Sequence, residues 1–111
     1  VSYGRTFITP RKMRIATLSA GYADGYPWLL SNRDAAVLIR GQRCAILGRV
    51  TMDLMMADVS RIDKVQTGEE VVLMGRDGNE EISCAELARI ADTIPWEITT
   101  RISQRVRRVY L

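Results

Sequence analysis

Short runs of apolar residues, either continuous or alternating with polar ones, follow one another along most of this chain. Runs of this length between turn-forming residues are typical of β-strands. They cover residues 3–8, 13–20, 36–39, 44–47, 55–59, 71–74, 98–102 and 105–110. Several short strands at close spacing predict a mainly β fold, a small antiparallel barrel or sandwich.

The connections between these runs carry residues that favour turns. Residues 40–43 include Gly41 and predict a hairpin, and the Asp77-Gly78 pair is a strong hairpin signal. Residues 21–32 contain two glycines and a proline, which predicts a loop. Residues 9–12 connect the first two predicted strands.

One segment has the pattern of a helix. Ser83-Cys84-Ala85-Glu86 is a capping box, in which the serine and glutamate side chains each satisfy a backbone N–H of the first turn. An apolar face then repeats at helical spacing through Cys84, Leu87, Ala88 and Ala91. The pattern predicts one short helix and explains Cys84 as a core residue rather than a reactive thiol.

Length and composition fit one domain over residues 1–111. Apolar residues make up 47% and charged residues 26% of the chain, which is ordinary for a globular domain and too apolar for disorder. No apolar run reaches the roughly 18 residues of a membrane helix, and the start lacks a signal-peptide pattern. Because patterned sequence begins at once at Val1, we expect a piece of a longer protein.

The charged and titratable residues narrow the chemistry. The absence of histidine excludes His-based metal sites and Ser-His-Asp or Cys-His catalysis. Basic residues are scattered except at Arg101, Arg105, Arg107 and Arg108, so we expect no nucleic-acid binding. Without histidine and without ligand spacing between the cysteines, we expect no metal site. Two cysteines without ligand spacing predict separate reduced thiols in a cytosolic protein.

Three motifs bring together residues capable of chemistry. Tyr3 lies in VSYGRT (residues 1–6) and Tyr22 in GYADGYP (residues 21–27), while GRVTMD (residues 48–53) places Arg, Met and Asp on one turn. A phenol has a pKa of about 10, so it acts as a base near neutral pH only where positive charge stabilises the phenolate. From these residues alone, the sequence indicates loops of mixed chemistry at one end of the β domain.

In their residues and their order along the chain, the three motifs resemble signature stretches of the C-terminal domain of pyridoxal-phosphate-dependent alanine racemases. The likeness continues through residues 71–75, the capped helix, residues 94–97 and residues 105–110. It implies a small antiparallel Greek-key-like barrel with one short helix. It also implies an N-terminal (β/α)8 barrel, absent from this chain, that holds the pyridoxal 5'-phosphate on a lysine. The two subunits of such a homodimer pair head to tail.

The resemblance also implies roles for individual residues. Tyr3 corresponds to the catalytic acid/base on one face of the substrate α-carbon, and Met52 to a residue that contacts the substrate carboxylate. The predicted entrance to the active site is lined by Tyr22, Arg49, Asp53, Ile94 and Trp96. From the residues alone, a core position for Met52 and a surface salt bridge for Arg49 are the alternatives.

Three positions depart from the family pattern. Trp96 stands where the family commonly has Tyr, Trp28 where Arg is frequent, and Leu54 where Gln is frequent. An indole N–H donates a hydrogen bond but is bulkier and differently aimed than a phenol. These departures leave open which small amino acid fits the site.

The resemblance predicts a cytoplasmic bacterial isomerase that interconverts L- and D-alanine, the D-alanine serving peptidoglycan synthesis. The alternatives are a racemase for serine or another small amino acid, a non-catalytic β-barrel binding module, and a basic β-barrel that binds RNA. A binding module has no need for Tyr3, Tyr22 and Met52 in these motifs. An RNA-binding surface needs aromatics among its basic residues, and only Tyr110 lies near the arginine cluster. The sequence leaves open whether the parent protein carries a membrane segment.

Overall fold

An open antiparallel sheet organises the domain. The computed structural model describes residues 1–111. Four strands pair in the order β1-β4-β3-β2, and their bounds are β1 Ile15–Leu18, β2 Ala36–Ile39, β3 Gln42–Leu47 and β4 Met55–Asp58. The predicted mainly β, antiparallel fold is confirmed, but β1 and β2 are both edges, so the sheet does not close as a barrel.

Two tight hairpins follow from residues that accept positive φ. Arg40 and Gly41, with φ of 50° and 72°, form the two-residue turn between β2 and β3, as the right-handed strand twist favours. Gly78 lies between β5 (Gly75–Asp77) and β6 (Glu80–Ile82), which form a separate two-stranded sheet. Both predicted hairpins are confirmed.

The predicted strand at residues 71–74 is wrong. Only Val72 pairs there, exchanging two backbone hydrogen bonds of 2.9 Å with Leu38 of β2. Its neighbours are partly buried apolar residues that pack on the core, so apolar character alone mimicked a strand.

Helix α1 (Cys84–Ala91) begins where the sequence predicts. Ser83 Oγ accepts a hydrogen bond from Glu86 N at 3.0 Å. The other half of the predicted capping box is wrong, because the Glu86 carboxylate instead accepts two hydrogen bonds from Arg43 on β3. Both cysteines are free, and Cys84 Sγ donates to Pro95 O at 3.1 Å.

The last two predicted strands, and the first, are also wrong. Residues 98–102 fall largely in a second short helix, α2 (Pro95–Thr100), whose first residue is a proline that is pre-organised for a helix start. Residues 105–110 and 3–8 form no strand. The Arg108 guanidinium binds the carbonyl groups of residues 102, 103 and 106, so this segment folds on itself instead of pairing with a sheet.

The core lies between the sheet, the small hairpin and α1. Its largest fully buried side chains are Leu30, Val37, Leu38, Ile39, Val50, Met55, Ile62 and Ile82. Tyr26 is buried with them, its hydroxyl has no hydrogen-bond partner, and burial raises the pKa of its phenol. No helix is long and apolar enough to span a membrane.

Candidate functional site

Four irregular segments meet beside the sheet, residues 1–6, 21–25, 48–54 and 103–106, and we call them the loop cluster. Tyr22 N donates to Thr51 O and Ala23 N to Met52 O, both at 2.9 Å. Gly21 permits this approach, since a Cβ there would lie 2.2 Å from Thr51 O. Gly21, in the second motif, thus allows the two loops to lie in close contact.

Tyr3 lies at the centre of the loop cluster. A 3₁₀ turn (Tyr3–Arg5) carries it, and its Oη accepts a hydrogen bond from Met52 N at 3.3 Å. The neighbouring Tyr3 phenol raises the pKa of Tyr22. All three side chains are exposed, by 46% for Tyr3, 38% for Tyr22 and 48% for Met52. The exposure rules out the core position considered for Met52.

A tight loop presents Met52 and Asp53 at its tip. Thr51 closes the loop through two hydrogen bonds to one carbonyl. Its N–H donates to Leu54 O at 3.0 Å, and its Oγ1 donates to the same oxygen at 2.7 Å. Behind the loop, buried Val50 N donates to Ser31 Oγ at 2.8 Å. The backbone N–H of Met52 therefore has a fixed direction, toward Tyr3.

Arg49 places a positive charge beside the turn that carries Tyr3. Its side chain crosses Gly4, where a Cβ would lie 3.0 Å from Arg49 Nη1. Ser2 Oγ donates to Arg49 O and ties the two segments together. The guanidinium forms no ion pair, so the surface salt bridge considered for this residue is not formed.

The remaining predicted entrance residues belong to another segment, at the start of α2. Ile94 precedes α2 and Trp96 lies in its first turn, with exposures of 57% and 72%. The Trp96 indole N–H donates no hydrogen bond to the loop cluster, and the apolar Ile94 side chain has none to donate. The structure thus brings together Tyr3, Tyr22, Arg49, Met52 and Asp53, and the entrance role of Ile94 and Trp96 stays a prediction.

Sequence reasoning missed Arg105 as a site residue. Its guanidinium bridges two segments, with Nη2 2.8 Å from Asp53 Oδ1 and Nε 3.3 Å from Asp24 Oδ1. Both carboxylates contribute to raising the pKa of Arg105, Asp53 through a hydrogen bond and Asp24 through its charge. No local pattern reveals such a residue, because Asp53 is 52 positions away in the chain.

The residues of this chain do not provide a lysine for a covalently held cofactor. Lys12 and Lys64 are both exposed, neither side chain is hydrogen-bonded, and neither lies in the loop cluster. No group of three or more His, Cys, Asp or Glu side chains is arranged to hold a metal ion. What the loop cluster offers is two phenols, one backbone N–H donor and a nearby guanidinium.

The family model described as "Alanine racemase, C-terminal domain" matches residues 1–110. The chain belongs to this family. Alanine racemase from Symbiobacterium thermophilum is 58% identical over 110 residues, which are 99% of this chain and 29% of that protein. The resemblance of the three motifs to the alanine racemase C-terminal domain is confirmed.

Solved structures agree with this membership. Alanine racemase from Bacillus anthracis with bound L-Ala-P has a TM-score of 0.87 and 43% identity, over 96% of this chain and 26% of that one. Alanine racemase from Bartonella henselae with covalently bound pyridoxal phosphate has a TM-score of 0.88 and 34% identity, over 98% of this chain and 29% of that one. The chain thus spans less than a third of the alanine racemases that it matches.

Proposed function

We propose that this chain is the C-terminal domain of a pyridoxal-phosphate-dependent alanine racemase and that Tyr3 is its catalytic acid/base. The observation that carries the proposal is the position of the Tyr3 hydroxyl. It is exposed, it accepts the Met52 N–H, and it lies beside Tyr22 within three motifs of the family. A tyrosine that merely packed a core would have neither the exposure nor this polar setting.

The proposal places the rest of the active site outside this chain. Residues 1–111 form one domain, and an N-terminal (β/α)8 domain holds the cofactor on a lysine, since neither Lys12 nor Lys64 fits that role. The covalently bound pyridoxal phosphate of the Bartonella henselae alanine racemase supports the cofactor assignment. The exposed face of Tyr3, Tyr22 and Met52 then completes the site of the partner subunit in a head-to-tail homodimer.

The substrate and the location follow from the same proposal. The substrate is a small amino acid, alanine in the first instance, since the matching relatives carry the name alanine racemase. Bacterial relatives and two free cysteines, the pattern of a reducing compartment, support a cytoplasmic location.

Racemisation requires that a proton leave one face of the α-carbon and that another arrive on the opposite face. When bound, the cofactor supplies the electron sink that stabilises negative charge at this carbon. On the face served by this chain, Tyr3 Oη holds or delivers the proton. Met52 N–H donates to Oη and orients it, the Tyr22 phenol lies beside it, and Arg49 places positive charge beside the turn that carries Tyr3. The resemblance assigns the substrate carboxylate to the neighbourhood of Met52.

Substitution of Tyr3 tests the proposal in the full-length protein. Tyr3→Phe retains the ring and removes the proton-transferring oxygen, so we expect the racemisation rate to fall by about 10²–10⁴-fold. Exchange of the α-hydrogen with deuterium is measured separately for the two enantiomers. We expect it to fall much more for L-alanine, on the Tyr3 face, than for D-alanine, on the face of the cofactor lysine.

Mixing two impaired variants tests the shared site. Tyr3→Phe is combined with a variant lacking the cofactor lysine, and heterodimers should regain one working site because each site uses both chains. Recovery of activity on mixing is the expected result. Equal loss of exchange for both enantiomers, or no recovery on mixing, would show that Tyr3 is structural.

A further inference from the structure

Arg105 is the only side chain whose ion pairs join two segments of the loop cluster. Its Nη2 reaches Asp53, next to Met52, and its Nε reaches Asp24, in the 3₁₀ turn that begins at Tyr22. The two carboxylates belong to different loops, and each forms its ion pair with this one guanidinium. Arg105 therefore adds a side-chain link between the segments that hold Met52 and Tyr22, beside the two backbone hydrogen bonds that join them.

The segment that carries Arg105 is itself fixed to the same place. Ser103 N donates to Asp24 O at 3.1 Å, and Arg105 N donates to Ser103 Oγ at 3.3 Å. Asp24 also accepts from Gly21 N at 2.9 Å through its second carboxylate oxygen. Asp24 is thus held in a defined orientation, and Arg105 reaches Asp53 from a fixed base.

We propose that Arg105 is a positioning residue that holds the loop of Met52 and Asp53 against the Tyr22 turn, so that the Met52 N–H stays directed at Tyr3 Oη. This inference rests on the proposed role of Tyr3 as the acid/base. Without the guanidinium, two like charges on adjoining loops face each other with no cation between them. Their repulsion acts on the loop whose N–H orients Tyr3.

The ion pairs of Arg105 are half-exposed, with side-chain exposures of 50% for Arg105 and 56% for Asp53. Pairs at this exposure contribute little to stability. We therefore expect Arg105→Ala to leave folding nearly unchanged and to alter instead the position of the Met52 loop relative to Tyr3. This separation makes the inference testable in an intact protein.

The experiment uses the full-length protein and deuterium exchange at the α-carbon of each enantiomer. Arg105→Ala should lower exchange of L-alanine by about 10²-fold, the scale expected for a shift of about 1 Å at a reacting group. Exchange of D-alanine, on the opposite face, should change far less. Arg101→Ala is the matched control, because it removes an arginine whose only ion pair is with Glu97 on α2.

A conservative variant and a parallel measurement complete the test. Arg105→Lys retains the charge but cannot bind both carboxylates in a fork, so it should recover part of the lost L-alanine exchange. Equal losses for both enantiomers, no loss, a loss matched by Arg101→Ala, or no recovery with Lys would each overturn the positioning role. Tyr3→Phe is measured alongside. If it shows the one-sided loss and Arg105→Ala does not, only this inference fails; if Tyr3→Phe lacks it, the proposed function fails.

Discussion

Arg43 and Arg105 each bridge two carboxylates from distant parts of the chain, but they do so in different regions. Arg43, on β3, binds Glu80 of β6 and Glu86 of α1, and also donates to Glu81 O. Arg105 binds Asp24 and Asp53, both in loops. We call the surroundings of Arg43, which comprise the sheet, the small hairpin and α1, the sheet region.

The two regions differ in the contacts that hold the partners of each arginine in place. In the sheet region, ladder hydrogen bonds and buried side chains such as Leu38 and Ile82 already fix the partners. In the loop cluster, no strand ladder joins the segments, and their positions depend on a few hydrogen bonds, the ion pairs of Arg105 and close contacts at glycines. Substitutions in the sheet region should therefore cost stability, and those in the loop cluster should cost activity. Four substitutions test this contrast.

Leu38→Ala should have the largest effect on stability. Leu38 is fully buried on β2, and truncation of such a residue costs about 2–5 kcal/mol through lost burial and the remaining cavity. Urea unfolding of the 1–111 chain measures the cost. Leu29→Ala, at a side chain 41% exposed, is the control and should cost about 0.5 kcal/mol or less. A marked loss of L-alanine exchange in folded full-length Leu38→Ala would contradict the division between the regions.

Gly21→Ala, in the loop cluster, should reduce activity more than it reduces stability. Its Cβ would lie 2.2 Å from Thr51 O and 2.5 Å from Met52 O, so the two loops must separate. We expect a stability cost of about 1–3 kcal/mol, as for overpacking, and a fall of about 10²-fold in L-alanine exchange by the full-length protein. Gly68→Ala is the control, since a Cβ there has nothing within 4 Å, although its φ of +94° adds strain. Unchanged exchange in Gly21→Ala would show that loop contact is dispensable.

Glu86→Gln tests the Arg43 bridge through pH. The hydrogen bond from Arg43 lowers the pKa of Glu86 below its ordinary value of 4.5. The ionised Glu86 carboxylate therefore contributes fully to stability above pH 4.5, and this contribution is lost as pH falls through the lowered pKa. Because Arg43 is 41% exposed, we expect a cost of about 1 kcal/mol or less at neutral pH. Acid unfolding of Glu86→Gln should be less steep, while Glu81→Gln, on the more exposed Arg76 pair, should not differ from the parent.

Tyr26→Phe should have the smallest effect, and it should raise stability rather than lower it. The hydroxyl is buried without a partner, and removing an unsatisfied polar group relieves an uncompensated desolvation. We expect the free energy of unfolding at neutral pH to rise by about 1 kcal/mol or less. Burial raises the pKa of Tyr26 above its ordinary value of 10.0, so the phenol ionises more readily in the unfolded chain than in the folded one. The free energy of unfolding of the parent protein therefore falls as pH rises beyond 10. The variant should therefore be less sensitive to alkali, and a clear destabilisation would show that the hydroxyl is satisfied.

Local signals predicted the elements that depend on neighbouring residues. Gly41 permits the left-handed turn between β2 and β3, and Ser83 caps α1 within three residues of its partner. The motifs around Tyr3, Tyr22 and Met52 identified the family and the residues that meet in the loop cluster. Where apolar runs had no such signal, as at residues 98–102 and 71–74, short strands could not be distinguished from a helix or from core packing.

By itself, the sequence determined the β character of this protein, its hairpins, the start of α1 and its family, because each depends on contacts within a few residues or on motif order. The tertiary structure alone decided that the sheet stays open, that Glu86 binds Arg43 instead of closing its own cap, and that Arg105 joins Asp24 to Asp53. These features depend on groups separated by tens of residues. A charged side chain pairs with the opposite charge that folding brings nearest, and distance along the chain does not reveal which one that is.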